Sequence, residues 1–282
     1  MQGEVLDRVE LTAAGLAGDR AYAVIDRAGG KVASAKQPRA WGRLLDATAR
    51  FVDEPAGGAS PPPVLIELPD GTSVRSDAAD VDAVLSAFLG RPVHLASTAP
   101  PAARFDEVWP DVEGLAPEEF VAATRAGSID GDPVSELALA AAAPGTFFDL
   151  APLHLLTTST LDALRAANPG GDFDVRRYRP NVLVATEAAG FVENGWAGHA
   201  MGIGPAHVAA TIPTMRCVMT TLAQPGLAAD LSLLRTIAAA NRIEIGGIGR
   251  WACAGVYAEV TLAGTIARGD AVTVVGRSSP GA

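Results

Sequence analysis

HLLTTSTLDALRAANPG, residues 154–170, changes character in its middle. His154–Thr157 is a short apolar strand signal, LDALRAA is helical, and Asn168–Pro169–Gly170 stops the helix. The reading is a strand over 154–157 and a helix over 160–167. Similar strand signals recur downstream in NVLVAT (181–186), HVAATI (207–212), GVYAEV (255–260) and AVTVVG (271–276), with a second helix over about 228–240. Many short strands and few helices predict an α+β fold that is mostly β and barrel-like. There is no internal repeat and no heptad array.

Upstream, residues 1–98 read as a smaller strand-rich unit. AYAVID (21–26), Gly29–Gly30 and KVASA (31–35) form one hairpin signal. VLIEL (64–68) and TSVR (72–75) around Pro69–Asp70–Gly71 form another. Val81, Val84, Leu85, Phe88 and Leu89 make one helical stripe, stopped by Gly90 and Pro92, and 56–63 is a loop within the unit. Residues 99–145 read as an acidic connector with short helices around 116–126 and 133–142, ending at Pro144–Gly145. The predicted organisation is 1–98, the connector 99–145, and a larger domain over 146–277.

Composition narrows the function. The 282 residues are 49% hydrophobic, so a packed core is expected. No apolar run reaches membrane-spanning length, and no basic segment followed by an apolar run opens the chain. This predicts a soluble, cytoplasmic protein. The net charge of −10 disfavours nucleic acid or an anionic membrane as partner. Residues 101–140 hold nine acidic and two basic side chains, so this segment supplies −7 of that charge. Cys217 and Cys253 are the two cysteines, without a CxxC, which excludes a four-cysteine zinc or iron–sulfur site. A disulfide between them is disfavoured in a reducing cytoplasm.

Four places can carry chemistry. Thr158, Ser159 and Thr160 at a helix start either cap backbone N–H groups or help to bind a phosphate there. Arg176–Arg177–Tyr178–Arg179–Pro180–Asn181 offers guanidinium forks and an amide to an anion, or else pairs with the acidic connector. In Pro213–Thr214–Met215–Arg216–Cys217, the cysteine is either a small core residue or a thiolate favoured by its arginine, a soft metal ligand. Arg20 in GLAGDR (15–20) points to solvent or into a site. Cys253 is assigned to the core, and the four histidines to packing or surface.

The motifs agree in order. GLAGDRAYAVID resembles the N-terminal barrel of MOSC proteins; GTFFDLAPLHLLTTSTL, RRYRPNVLV, PTMRC, GVYAEV and GTIARGDAVTVV resemble the MOSC domain proper. The resemblance spans the chain except the acidic connector. It is closest to bacterial relatives of the mitochondrial amidoxime-reducing component and of the C-terminal part of molybdenum cofactor sulfurases. It implies a molybdenum cofactor (molybdopterin with Mo) between two β-rich parts, with the Cys217 thiolate as ligand to the metal and catalytic group. It also implies Arg20, Thr158, Ser159, Thr160, Arg179, Asn181 and Arg216 as cofactor contacts. The implied function is an oxidoreductase that reduces N-hydroxylated or N-oxide-type small molecules. Its electrons would come from a separate ferredoxin- or flavin-type donor protein. The alternatives are a carrier of cofactor or sulfur on Cys217, and a MOSC protein without cofactor. Two departures bear on retention. Met1–Gln2–Gly3–Glu4 opens where relatives carry a strand and a Lys–Ser pair, and Met215 replaces a small hydroxyl residue. A weakened cofactor grip is therefore expected, relieved by about ten to twenty more residues upstream.

Overall fold

In the computed structural model, which describes residues 1–58, 60–139 and 145–277, the chain begins with β1 (Arg8–Thr12), β2 (Gly15–Leu16) and β3 (Ala23–Asp26). α1 (Pro38–Trp41) follows, capped by the Gln37 side chain, which accepts from Ala40 N at 2.6 Å. β4 (Thr48–Phe51), β5 (Val64–Glu67) and β6 (Ser73–Arg75) make an antiparallel meander containing the second expected hairpin. α2 (Val81–Leu89) buries Val81, Leu85, Phe88 and Leu89 against that sheet and ends on Gly90 in the left-handed region. The first expected hairpin forms only in part. Its turn closes, with Asp26 N donating to Lys31 O at 2.9 Å, but the ladder partner of β3 is β7 (Val93–Ala96). Residues 31–35 keep a single bridge, Val32 to Ile25, because their other edge is taken: Val32 N donates to Arg104 O at 2.8 Å.

The acidic stretch is a folded sheet. β8 (Arg104–Val108), α3 (Glu118–Thr124), β9 (Arg125–Ile129) and β10 (Asp132–Ala138) give strand order β8-β10-β9. The helix expected over 133–142 is thus corrected: 132–138 is a strand, and 140–144 lie outside the described residues. Asp130 and Gly131, both at positive φ, turn β9 back onto β10, and pairing on both edges holds Asp132–Ala138 as a strand. Four of the stretch's nine acids, Asp106, Glu107, Asp130 and Glu136, meet cations from residues 31–39. Lys31 reaches Asp106 at 2.7 Å and Glu136 at 2.6 Å, Lys36 reaches Glu107 at 3.0 Å, and Arg39 pairs with Asp130.

The rest of the chain builds a curled half-barrel. β11 (Leu153–Thr157) runs into α4 (Thr158–Ala167). β12 (Val182–Val184), β13 (His199–Ile203), β14 (Ala206–Met215), α5 (Ser232–Ala240), β15 (Arg242–Ile245), β16 (Gly249–Leu262), β17 (Gly264–Ala267) and β18 (Val272–Arg277) follow. The main sheet has order β12-β11-β16-β14-β13-β18, with β15 on β16. The β11–β12 pair is parallel, as its α4 crossover requires, and the other pairs are antiparallel. The α+β, mostly β fold read from the sequence is the fold observed. α4 and α5 pack on one face with Leu156, Leu164, Leu234, Ile237 and Trp251, where Trp109 of the acidic segment joins them. On the other face Leu11 of β1 lies among Leu153, Leu155 and Val256, and β1 pairs with β17. Among the described residues no helix is long and apolar enough to cross a membrane.

Candidate functional site

Three loops meet at Cys217. The first is the turn 15–20, where Gly18 and Arg20 hold φ of +80° and +51°. A side chain at Gly18 would strike the Phe51 ring at 2.6 Å, so the turn is glycine for lack of space as well as for its φ. Arg20 O accepts from Phe147 N at 3.1 Å, and Arg20 Nη1 lies 3.7 Å from Asp149 Oδ1. The turn is thereby fastened to 147–149 at the entrance of β11.

The second loop carries RRYRPN, whose arginines part company. Arg176 is exposed and pairs with Asp174 at 2.9 Å, so neither it nor its neighbours meet the acidic segment. Arg177 is 1% exposed and donates to the carbonyls of Leu222 at 3.1 Å and Ala228 at 2.7 Å. It pins the segment that follows Cys217. Arg179, at φ +55°, belongs to the cleft: burial and the Arg20 guanidinium bring its pKa down to about 10. The Asn181 side chain bridges elements. It accepts from His154 N at 2.9 Å and donates to Asp19 Oδ2 at 2.6 Å, joining β11 to the first loop.

The third loop leaves β14 at Met215. Arg216 is buried; its Nη2 donates to Tyr178 O at 3.1 Å, its guanidinium lies 5.4 Å from the Tyr178 ring centroid, and its Nε has no partner. Cys217 is extended and caps the 3₁₀ turn Val218–Thr221, its carbonyl accepting from Thr220 Oγ1 at 3.1 Å. Burial pushes the thiol pKa up, whereas Lys36 and Arg216 pull it back.

At the helix start the capping residue is Thr157. Its Oγ1 accepts from Thr160 N at 3.1 Å and donates to the buried Glu193 at 2.7 Å. Ser159 Oγ lies 3.0 Å from Thr157 Oγ1, Thr158 Oγ1 accepts from Thr186 N, and Thr160 Oγ1 is buried without a partner. Thr157 caps α4, Thr158 ties its start to the segment after β12, and the Thr160 hydroxyl is left without a partner. Hydrogen bonds join the three loops: Asn181 donates to Asp19 of the first, and Arg216 of the third donates to Tyr178 O of the second.

Sequence reasoning missed Lys36, Glu107, Asp149 and Tyr257. Lys36 Nζ lies 2.8 Å from Asp149 Oδ2 and 3.0 Å from Glu107 Oε2. Burial opposes the charge on Asp149, yet Lys36 and Arg20 hold its carboxyl well below the usual range. A single carboxylate inside the apolar run FFDLAPLHLL was a legible signal for Asp149. Lys36 in its loop and Glu107 among nine acids carried none. His154 is buried and held neutral, its pKa lowered to about 3 by burial and then by Arg216. Cys253 is wholly buried in the core, as expected.

The family model for the MOSC domain matches residues 144–273, which contain β11, the RRYRPN loop and Cys217. Residues 144–273 are a MOSC domain. Among solved structures it is similar to the crystal structure of YiiM from Geobacillus stearothermophilus, at 15% identity and a TM-score of 0.34. That match covers 44% of this chain and 54% of that one, about half of each. So loose a match places no side chain, and the MOSC site rests on the contacts described above. No curated protein matches the sequence.

Proposed function

We propose that this MOSC protein holds a molybdenum–pterin cofactor in the Cys217 cleft and reduces N-hydroxylated or N-oxide-type small molecules. The observation that carries the reading is the buried Arg216 next to Cys217, an arginine whose Nε has no partner. Burial and then the Arg20 guanidinium lower the pKa of Arg179, and Arg20, Arg179 and Arg216 lie on loops joined by the Asn181–Asp19 and Arg216–Tyr178 hydrogen bonds. An anionic group fits that environment, and a soft metal fits the thiol. Among the described residues no cluster of three or more His, Cys, Asp or Glu could hold a metal, so Cys217 would be the protein's own ligand. Arg20, Arg179 and Arg216 would grip the anionic part. Asn181 would keep β11 and the first loop in register, and the start of α4 at Thr158–Thr160 would supply its dipole.

When bound, the metal supplies the oxygen-atom chemistry. The chain's part is to orient the cofactor, hold Cys217 in its extended conformation and limit water. Electrons would come from a separate ferredoxin- or flavin-type donor protein. The test is expression in a host that makes the cofactor, with molybdenum by mass spectrometry, pterin by fluorescence, and turnover of hydroxylamine-type substrates with an artificial reductant. Wild type should carry both and turn over; Cys217→Ser should fold, lose molybdenum and fail. Equal molybdenum in the two proteins, or wild type without pterin, would refute the reading. Transfer of cofactor to an apo-enzyme without turnover would mark a carrier instead.

A further inference from the structure

A cavity of about 440 Å³ lies between α5, the start of β15 and residues 112–114 of the acidic segment. That is the size of a small-molecule site. Arg235, Ala238 and Ala239 share one face of α5, at i, i+3 and i+4, and Arg242 opens β15 just beyond the helix. The two alanines give the cavity an apolar floor, and the two arginines and Glu113 give it its charge. Two cations and one anion leave the lining at +1, in a chain whose net charge is −10.

The wall is fixed by the fold. Leu115 N donates to Val112 O at 3.2 Å, closing a turn, and Ala252 N of β16 donates to Leu115 O at 3.0 Å. Arg242 stands opposite Ala252 in the β15–β16 ladder, so turn and arginine are registered on the same residue. The Arg242 side chain packs against Gly114: a Cβ there would lie 3.2 Å from its Cδ and Nε and 3.4 Å from its Cζ. Glycine, at φ +76°, leaves that room. Packing holds this guanidinium without an ion pair. Among the described residues no side-chain hydrogen bond or ion pair reaches Arg235, Arg242 or Glu113. By contrast, the exposed Arg27, Arg39, Arg75, Arg165 and Arg176 each meet a carboxylate. Two guanidinium groups left unpaired in one concave site focus a positive field there.

We propose that this cavity binds a small organic oxyanion, with its phosphate or carboxylate oxygens on Arg235 and Arg242 and its apolar part over Ala238 and Ala239. Guanidinium forks suit both kinds of oxyanion, and the ligand supplies the charge that the lining leaves unmatched. Glu113 opposes further negative charge and so limits what the site accepts. The wall at 112–114 lies outside the MOSC match and the two arginines lie inside it, so the cavity arises where the acidic segment packs on that domain. None of its lining residues belongs to the loops at Cys217, and the inference does not rest on the molybdenum reading.

The test titrates the full, isotope-labelled chain with succinate and with inorganic phosphate, following the backbone amide signals of Gly114 and Ala239 by NMR. Neutral succinamide is the control. One or both anions should shift the two signals saturably, and succinamide should bind at least about tenfold more weakly, the scale of one charge-assisted contact. Saturation by succinate alone assigns the site to carboxylates, and saturation by phosphate alone assigns it to phosphate esters. Arg235→Gln and Arg242→Gln should each weaken binding about five- to tenfold. Glu113→Gln should tighten it about two- to threefold. Ala239→Leu fills the floor from an exposed helix position and should remove saturable binding while the fold is kept. Arg50→Gln, on the exposed side of β4, should leave binding unchanged. No saturable shift with either anion, succinamide binding as tightly as succinate, or unchanged binding in both arginine variants would overturn the inference. So would an Arg50→Gln effect as large as theirs.

Discussion

Acidification should weaken this fold through His154, and the size of the loss follows from its surroundings. The imidazole is 7% exposed, its Nε2 lies 3.3 Å from Ala254 O, and the Tyr257 ring centroid is 6.0 Å away. The charges that face it are Arg216 and Arg20, both of which oppose a proton. In the folded chain its pKa falls to about 3, whereas an unfolded histidine titrates near 6.5. Above that value both states hold it neutral and it contributes nothing to the pH dependence. Below it the unfolded chain takes up the proton and the folded chain refuses it, so stability falls as pH drops toward about 3. Between pH 7.5 and pH 5 the loss from this one group is about 2 kcal/mol. Asp149, held low by Lys36 and Arg20, loses its contribution only at more acid pH, and Glu107 changes in the opposite sense. Both are present in wild type and in His154→Gln, so comparing the two proteins isolates the histidine. Urea unfolding at the two pH values gives the numbers. Wild type should lose about 2 kcal/mol more than the variant. A difference below about 0.5 kcal/mol would show that His154 is protonated in the fold, and the account of its burial would fail.

Other outcomes follow from the same contacts. Arg179→Gln should weaken cofactor retention by about 1.5–3 kcal/mol, read as molybdenum content after desalting at low and high salt; a loss below about 1 kcal/mol that is present at low salt and vanishes at high salt would mean a solvated charge. Arg177→Met strands the carbonyls of Leu222 and Ala228 and should cost about 3–5 kcal/mol in urea unfolding, while also speeding proteolysis of the 217–228 segment. Gly255→Ala places a methyl against the His154 ring and 2.7 Å from Leu155 O, at φ +97°, and should cost more than about 3 kcal/mol; an unchanged melting temperature would contradict the β11–β16 geometry.

The sequence by itself determined the strand and helix content, the stripe of α2, the stop at Gly90, and the strand-to-helix passage from β11 to α4. These are local matters, set by side-chain period and by the few residues that end an element. The motifs also carried the resemblance to the MOSC domain that residues 144–273 match. Tertiary structure decided what depends on distant partners. Asp132–Ala138 is a strand because two neighbours pair with it, which outweighs a propensity worth tenths of a kcal/mol per residue. The acidic segment is no solvated connector, since Lys31, Lys36 and Arg39 meet its charges across more than 70 residues of sequence. Three arginines in a row of four look alike in the sequence, but one is exposed, one is buried under the Cys217 loop and one enters the cleft. Glu107 is one acid among nine until β8 carries it to Lys36. A charge acquires its role from what is brought within a few ångströms of it, and that proximity is a property of the folded chain alone.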